Sequence, residues 1–316
     1  MLVAACSPAQ IDLDWAAENL VPHGVSVYAT FEDMLKHTWL EAVIIASATP
    51  LHQPQTIECI KHGIHVLCEK PIAPNSQQIK ELLDASTSYP KVKVMPGFSR
   101  RFDQNYIDAK SKVQSGTIGD PIVIRAQACD SLDTGPPYKE YLKQSGGIFL
   151  DATIHDIDLA LCFFGEDVKP KAVWAAGVRA FHKDLITEKD ADNAVGICEF
   201  QDDRIAFFYN SRTSPRGFDN STEIFGTQGK IAVNLLSRHN RVEVIDKDGV
   251  SMAPMQSWLD RYSESFVHEV NTFVDTIIND RPVPITLEEA LKGCQIAEAL
   301  QRSLQTGERI LFDEAK

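Results

Sequence analysis

Two short stretches of this chain hold residue types that can move a proton and steady a negative oxygen. The first is Cys68-Glu69-Lys70-Pro71, which follows the apolar run His65 to Leu67. In open α/β sheets ligands bind beyond the carboxyl ends of the strands, and an ammonium placed there can donate to a substrate hydroxyl or carbonyl oxygen. Pro71 permits a cis peptide at this point. A solvated lysine in a strand-to-helix loop is the bland alternative.

The second stretch runs from Gly146-Gly147 to Asp158 and contains Asp151-Ala152-Thr153-Ile154-His155-Asp156-Ile157-Asp158. A helix over Leu150 to Phe163 places Asp151, His155 and Asp158 on one face, at i, i+4 and i+7. A carboxylate one turn before an imidazole orients it and raises its basicity, which a general base near neutral pH requires. The rest of the helix is Ile154, Ile157, Leu161 and Phe164. Three ionisable groups on such a helix are costly to bury without a purpose, and a polar stripe turned to water is the alternative.

Weaker candidates surround these two. Gly97-Phe98-Ser99-Arg100-Arg101-Phe102 offers two guanidinium groups that suit a cofactor or substrate oxygen, or else an interdomain ion pair. Ala48, Thr49, Pro50 and His52 end the most apolar run and lie against the same crevice. Asp130, Asp133 and Tyr138 can line a site or belong to a solvated loop.

The elements that must position these groups change character near residue 98. Before it, short apolar runs alternate with helical patterns: Leu2 to Cys6, Val25 to Tyr28, Ala42 to Ala48, His65 to Cys68 and Lys93 to Met95 read as strands. That alternation predicts βαβ units on a parallel sheet, with Ala42 to Ala48 buried on both faces. After it come a helix near Tyr106 to Ser115 and, from Val168, strand after strand with turns at Asp202-Asp203 and Asp248-Gly249, as in an antiparallel sheet. Helices at Trp258 to Ile278 and Leu287 to Leu304 close the chain, the second opened by a Thr286/Glu289 capping box. The expectation is an α/β domain over residues 1–98 and an α+β domain with an open, mainly antiparallel sheet over 99–316, with a ligand site between them.

Composition narrows the function classes. The 316 residues carry 31 Lys+Arg against 44 Asp+Glu, a net charge of −13, which disfavours nucleic acid and anionic membranes as partners. No apolar run approaches the length of about 20 residues that spans a bilayer. Seven cysteines stand singly, without metal-ligand spacing or disulfide density, so no metal site is expected and a reducing, cytoplasmic setting fits.

Taken in order, Glu69-Lys70-Pro71, Gly97-Phe98-x-Arg100-Arg101-Phe102, Gly119-Asp120-Pro121, Gly146-Gly147 and Asp151-x-x-x-His155-Asp156-x-Asp158 resemble the glucose-fructose oxidoreductase/inositol dehydrogenase (Gfo/Idh/MocA) family. Glu223-x-x-Gly226-x-x-Gly229 and the helix from Trp258 fit the same pattern, so the likeness covers essentially the whole chain. The resemblance implies a Rossmann-type first domain, NAD or NADP as cofactor, and a cyclitol, polyol or sugar whose secondary hydroxyl is oxidised. It implies that Lys70 contacts cofactor and substrate, that Asp151 and His155 orient and deprotonate the hydroxyl, and that Asp130 and Asp158 lie near the substrate. Around the cofactor it groups Ser7, Ala48, Thr49, Pro50, His52, Glu69, Lys70, Pro71 and Arg100. A homodimer or homotetramer is also implied.

Three departures stand out. The family opens with a strand and a G-x-G-x-x-G turn, whereas Val3 to Ser7 here matches its second strand, so the Rossmann-type sheet is expected to lack its first, central strand. Either a shortened form of an ordinary enzyme or a catalytically silent sugar-binding or regulatory relative with impaired dinucleotide binding follows from that. Ser7 stands where NAD-preferring members carry an acidic residue, and Ala128 and Asp130 stand where inositol dehydrogenases tend to carry His and Asn.

Overall fold

The computed structural model describes residues 1–165, 167–187 and 189–312. The chain begins β1 (Ala4–Cys6), α1 (Gln10–Asn19), β2 (Ser26–Tyr28), α2 (Phe31–Met34), β3 (Ala42–Ile45), α3 (Thr49–Lys61), β4 (His65–Glu69), α4 (Ser76–Ser88) and β5 (Val94–Gly97). Every pairing among these strands is parallel, but the strands form two separate sheets, β1-β2 and β3-β4-β5. β3 is therefore an edge strand. Ile44 on it is half exposed, where the apolar run predicts burial on both faces. α3 starts at Thr49, because Pro50 in the first turn lacks only an N–H that has no helical acceptor. β4 and β5 approach closely at Gly97, opposite Glu69; a Cβ there would lie 3.1 Å from the Cys68 carbonyl oxygen and the Glu69 Cα.

A 3₁₀ turn at Ser99–Phe102 leads into α5 (Gln104–Gln114), whose first N–H groups are capped by Asp103. β6 (Pro121–Ser131), α6 (Pro136–Gln144), a π-turn (Phe149–Thr153) and α7 (Ile154–Phe164) follow. Next come β7 (Pro170–Val178), β8 (Asn193–Phe200), β9 (Ile205–Ser214), β10 (Asp219–Gly226), β11 (Lys230–Val233) and the hairpin β12 (Val244–Asp246) and β13 (Gly249–Ser251). α8 (Trp258–Ile278), α9 (Leu287–Thr306) and β14 (Ile310–Leu311) complete the order. The large sheet runs β11-β10-β6-β9-β8-β7-β14, antiparallel except where β6 and β9 run side by side. α6 falls in the segment read from sequence as a polar loop. Pro136 and Pro137 open it, and Tyr138, Tyr141 and Leu142 share one helical face.

One face of the large sheet carries Ala126, Ala194, Cys198, Ala206 and Phe208, all buried in the main core with α7 and α9. On the other face Trp174, Ile197 and Phe207 align across β7, β8 and β9, and Trp174 is exposed. α9 also reaches the first half of the chain: Glu298 accepts from the Ser76 backbone N–H and hydroxyl at the start of α4. The predicted Thr286/Glu289 capping box is formed, and Ser257 with Asp260 makes a second one at the start of α8. Among the described residues no helix is long and apolar enough to cross a membrane, and no cluster of His, Cys, Asp or Glu is arranged to hold a metal ion.

Candidate active site

A cavity of about 910 Å³ lies where the end of β4 meets α7 and the large sheet. Glu69, Lys70, Arg100, Asp130, Asp151 and His155 line its polar side, and Trp258, Leu259, Tyr262 and Phe266 from α8 form an aromatic wall. Lys70 arrives from the end of β4, where the Lys70–Pro71 peptide is cis. Its ammonium donates to the Asp151 carbonyl oxygen at 2.9 Å and stands 3.7 Å from Asp151 Oδ1. A lysine from the first sheet and an aspartate from the second half of the chain thus meet.

Asp151 is held from three sides. Arg212 on β9 donates to Oδ2 at 3.0 Å, the Tyr141 hydroxyl donates to Oδ1, and Lys70 faces Oδ1. Burial alone would push this carboxyl up; Lys70, Arg212 and the two hydrogen bonds outweigh it and keep the pKa below the ordinary value. Arg212 is anchored in turn by Asp190, at 3.0 Å, and is almost wholly buried.

His155 sits one turn further along, its ring edge-on to Phe98 with centroids 6.4 Å apart. The sequence suggests that Asp151 orients this imidazole. The structure differs: Asp151 spends its oxygens on Arg212 and Tyr141, and His155 Nδ1 is buried without a hydrogen-bond partner. The cause is local, because residues 149–153 form a π-turn, whose wider winding takes Asp151 off the regular i, i+4 stripe of α7. Burial first, then the charges of Arg100 and Lys70, hold the His155 pKa well below its usual value. The imidazole is therefore neutral at pH 7, with capacity to accept a proton.

Asp158 does not share this cavity. Both its oxygens are taken by the Arg101 guanidinium, at 2.7 and 2.8 Å, and Arg101 also holds Glu289 at 2.8 Å. The expectation that Asp158 contacts substrate is corrected: Arg101 takes both its oxygens, and Asp158 is a buried member of an ion-pair cluster on the regular part of α7. Arg100 does line the cavity and pairs with Asp156 at 2.6 Å. Asp156 in turn accepts from Asn210 at 3.1 Å.

The residues grouped around a cofactor fall into two sets. Glu69 and Lys70 line the cavity, and the Lys70 N–H donates to the Glu69 carboxylate at 3.2 Å. His52 is buried, its two ring nitrogens 2.7 Å from the Pro71 carbonyl and 2.8 Å from the Ser47 carbonyl, so it ties two loops together and has no nitrogen free for a ligand. Ser7, at the end of β1, donates to Asp12 at 2.7 Å. Ala48, Thr49 and Pro50 form the start of α3, and Ala48 supplies no side-chain cap. The uncapped first turn of α3 and the Glu69-Lys70 end of β4 fit the polar groups of a nicotinamide nucleotide. The Asp130 carboxylate lines the cavity without a hydrogen bond to it among the described residues; burial and then Asp151 raise its pKa, against the charges of Arg100, Lys70 and Arg212.

Sequence reasoning missed Arg212, Tyr141 and the aromatic wall. The signals were slight: Arg212 lies inside an otherwise ordinary strand, and Trp258 and Phe266 occur at helical spacing in a helix read from sequence only as closing the chain.

Comparison with known proteins agrees with this geometry. Residues 2–98 match the oxidoreductase family with an NAD-binding Rossmann fold, and residues 106–232 match the GFO/IDH/MocA C-terminal domain. Myo-inositol 2-dehydrogenase of Thermotoga maritima is 31% identical over 288 residues, covering 91% of this chain and 84% of its own length. A scyllo-inositol dehydrogenase of Lactobacillus casei, solved with NAD(H) and scyllo-inositol, superposes with a TM-score of 0.91 at 31% identity, over 98% of this chain and 91% of that one. Myo-inositol 2-dehydrogenase of Lactobacillus plantarum gives a TM-score of 0.93 at 29% identity, over 99% of this chain and 92% of that one. With a lysine, an aspartate and a histidine meeting in one cavity, and with these likenesses spanning nearly its full length, the chain belongs to the Gfo/Idh/MocA family of NAD-binding oxidoreductases.

Proposed function

We propose that this protein oxidises a secondary hydroxyl of a cyclitol, polyol or sugar, with NAD as the hydride acceptor. The observation that carries the reading is the meeting of Lys70, Asp151 and His155 on one cavity. A bound nicotinamide supplies the acceptor for the hydride; Glu69 and Lys70 at the end of β4 and the first turn of α3 would hold it. Neutral His155 takes the hydroxyl proton as the C–H bond gives up its hydride. Lys70, fixed by one hydrogen bond to the Asp151 carbonyl, keeps further N–H donors for the oxygen as it becomes alkoxide and then carbonyl. Asp151, kept ionised by Arg212, offers the counter-charge that holds Lys70 in place.

NAD, rather than its 2′-phosphorylated form, is supported by the turn after β1. Ser7 to Ile11 offers no cation for a phosphate, and Asp12 bonds to Ser7 there. The outward apolar row of Trp174, Ile197 and Phe207 supports self-association through the large sheet, as a homodimer or homotetramer. The test is formation of reduced nicotinamide when the protein meets NAD and a panel of inositols, alditols and hexoses. Turnover with at least one secondary alcohol is expected; no turnover with any of them, by a folded protein that binds NAD, would contradict the reading.

A further inference from the structure

A second cavity, of about 550 Å³, lies beside β11, the segment 234–241 and the start of α8, and shares no lining residue with the first. Arg238, Arg241 and Arg261 line it together with Leu235, Leu236 and Met255, and no Asp or Glu stands on its wall among the described residues. Guanidinium groups gathered without a carboxylate run against the composition of a chain whose net charge is −13. Arg261 is almost wholly buried and bonds Asp103 through both terminal nitrogens, so its charge is matched. Arg238 and Arg241 have no hydrogen bond or ion pair among the described residues. Two positive charges, both open to solvent, are therefore left over. The segment that carries them is pinned at three points. Asn234 takes the left-handed backbone region, at φ 56°, and its side-chain amide donates to the Asn220 carbonyl oxygen. Ser237 donates to the Phe218 carbonyl at 2.7 Å, and the His239 N–H donates to the Ala253 carbonyl at 2.7 Å. Arg238 and Arg241 thus lose less freedom on meeting a ligand than they would on an untethered loop.

We infer that this second cavity binds a small phosphate monoester. Such a group carries a charge of about −1.5 to −2 near neutral pH and presents three acceptor oxygens, which matches two unpaired guanidinium groups. A monocarboxylate matches only one. Leu235 and Leu236, 46% and 55% exposed, form with Met255 an apolar floor for the organic part of the ester. The volume lies within the range of about 300–1,000 Å³ usual for small-molecule sites. Arg238 and Arg241 touch none of the reacting groups, so this site stands apart from the dehydrogenase reading.

Calorimetric titration of the full chain at neutral pH, with excess NAD present, tests it with three probes: phenyl phosphate, inorganic phosphate and benzoate. Each is run on wild type and on the double variant Arg238→Gln/Arg241→Gln. Phenyl phosphate is expected to bind wild type at one per chain, at least about tenfold tighter than benzoate, and to weaken at least about tenfold in the double variant. Inorganic phosphate, which has the charge but nothing for the apolar floor, is expected to bind more weakly than the ester. No binding of phenyl phosphate, inorganic phosphate or benzoate bound as tightly as the ester, or an affinity that survives the double variant overturns the inference and leaves polyol oxidation untouched. Sedimentation shifted toward the monomer in the double variant, with no ester bound by wild type, overturns it in favour of an acidic segment of a second copy of this chain.

Discussion

Lys70 and His155 sit in opposite electrostatic settings. Lys70 faces a carboxylate whose pKa Lys70 and Arg212 hold below the ordinary value against burial, whereas burial and then the charges of Arg100 and Lys70 push the His155 pKa down. A base of this kind loses activity only when the solution is acidic enough to protonate it. The acid limb of kcat/KM for alcohol oxidation is therefore expected below the ordinary histidine value of 6.5. In Lys70→Ala, whatever turnover remains should show that limb displaced upward, because one of the charges that lowers the His155 pKa has gone. A limb at or above the ordinary value in the wild type would argue for another base. At this scale the meeting of Lys70, Asp151 and His155 at one cavity was legible and their contacts were not. The bond expected between Asp151 and His155 is replaced by bonds to Arg212 and Tyr141, residues 61 and 10 positions away from Asp151.

Helices and strands were legible where a single periodicity ran uninterrupted. α8 and α9 lie within two residues of their expected bounds, and the Thr286 cap is where the capping pattern places it. The π-turn at 149–153 was not legible, since one extra residue in a turn leaves no mark in residue type, and neither was the pairing of Asp158 with Arg101, 57 positions earlier. Asp158 belongs to the ion-pair cluster that ties the Ser99–Phe102 turn to α7 and α9 through Arg101. Arg101→Ala leaves Asp158 buried beside an uncompensated charge, and a loss of about 3–5 kcal/mol in unfolding free energy is expected by chemical denaturation. Asp158→Asn should likewise lower stability yet leave substrate KM unchanged; a large KM increase at unchanged stability would return Asp158 to the substrate site. α8 carries a second buried acid, Glu269, whose pKa is pushed up to about 9 by burial and by Glu69 and Asp158. Between the ordinary value of 4.5 and that of the folded state, the unfolded chain releases a proton that the folded chain retains, so stability falls as pH rises. Glu269→Gln removes this dependence. Its melting temperature is expected to exceed the wild type's by roughly 5 °C at pH 8 and to match it near pH 5; an equal difference at both would contradict the assignment.

The whole molecule places its chemistry where two sheets of different character meet. The parallel strands supply Lys70, the large sheet supplies Arg212 and Asp130, and α7 with its π-turn supplies Asp151 and His155. The change of pattern near residue 98 made this division readable in the sequence. The separation of β1-β2 from β3-β4-β5 was not legible there, because residue patterns along single strands do not show which strands pair. What composition could not show was which sheet face stays open, since Trp174, Ile197 and Phe207 look like core residues in any single strand. Sedimentation should give an oligomer for the wild type, and Trp174→Glu, on that open face, should shift it toward the monomer; a monomeric wild type would refute self-association through this face.

Whether Lys70, Asp151 and His155 serve one reacting carbon is most directly measured by the rate of cyclitol-dependent NAD reduction in the three single alanine variants and in the triple variant. Groups that act as a unit give non-additive losses. Each single change is expected to lower kcat by about 10²- to 10⁴-fold, with the triple variant no slower than the slowest single. Wild-type rates in the single variants, or losses that multiply in the triple, would contradict a shared site of action.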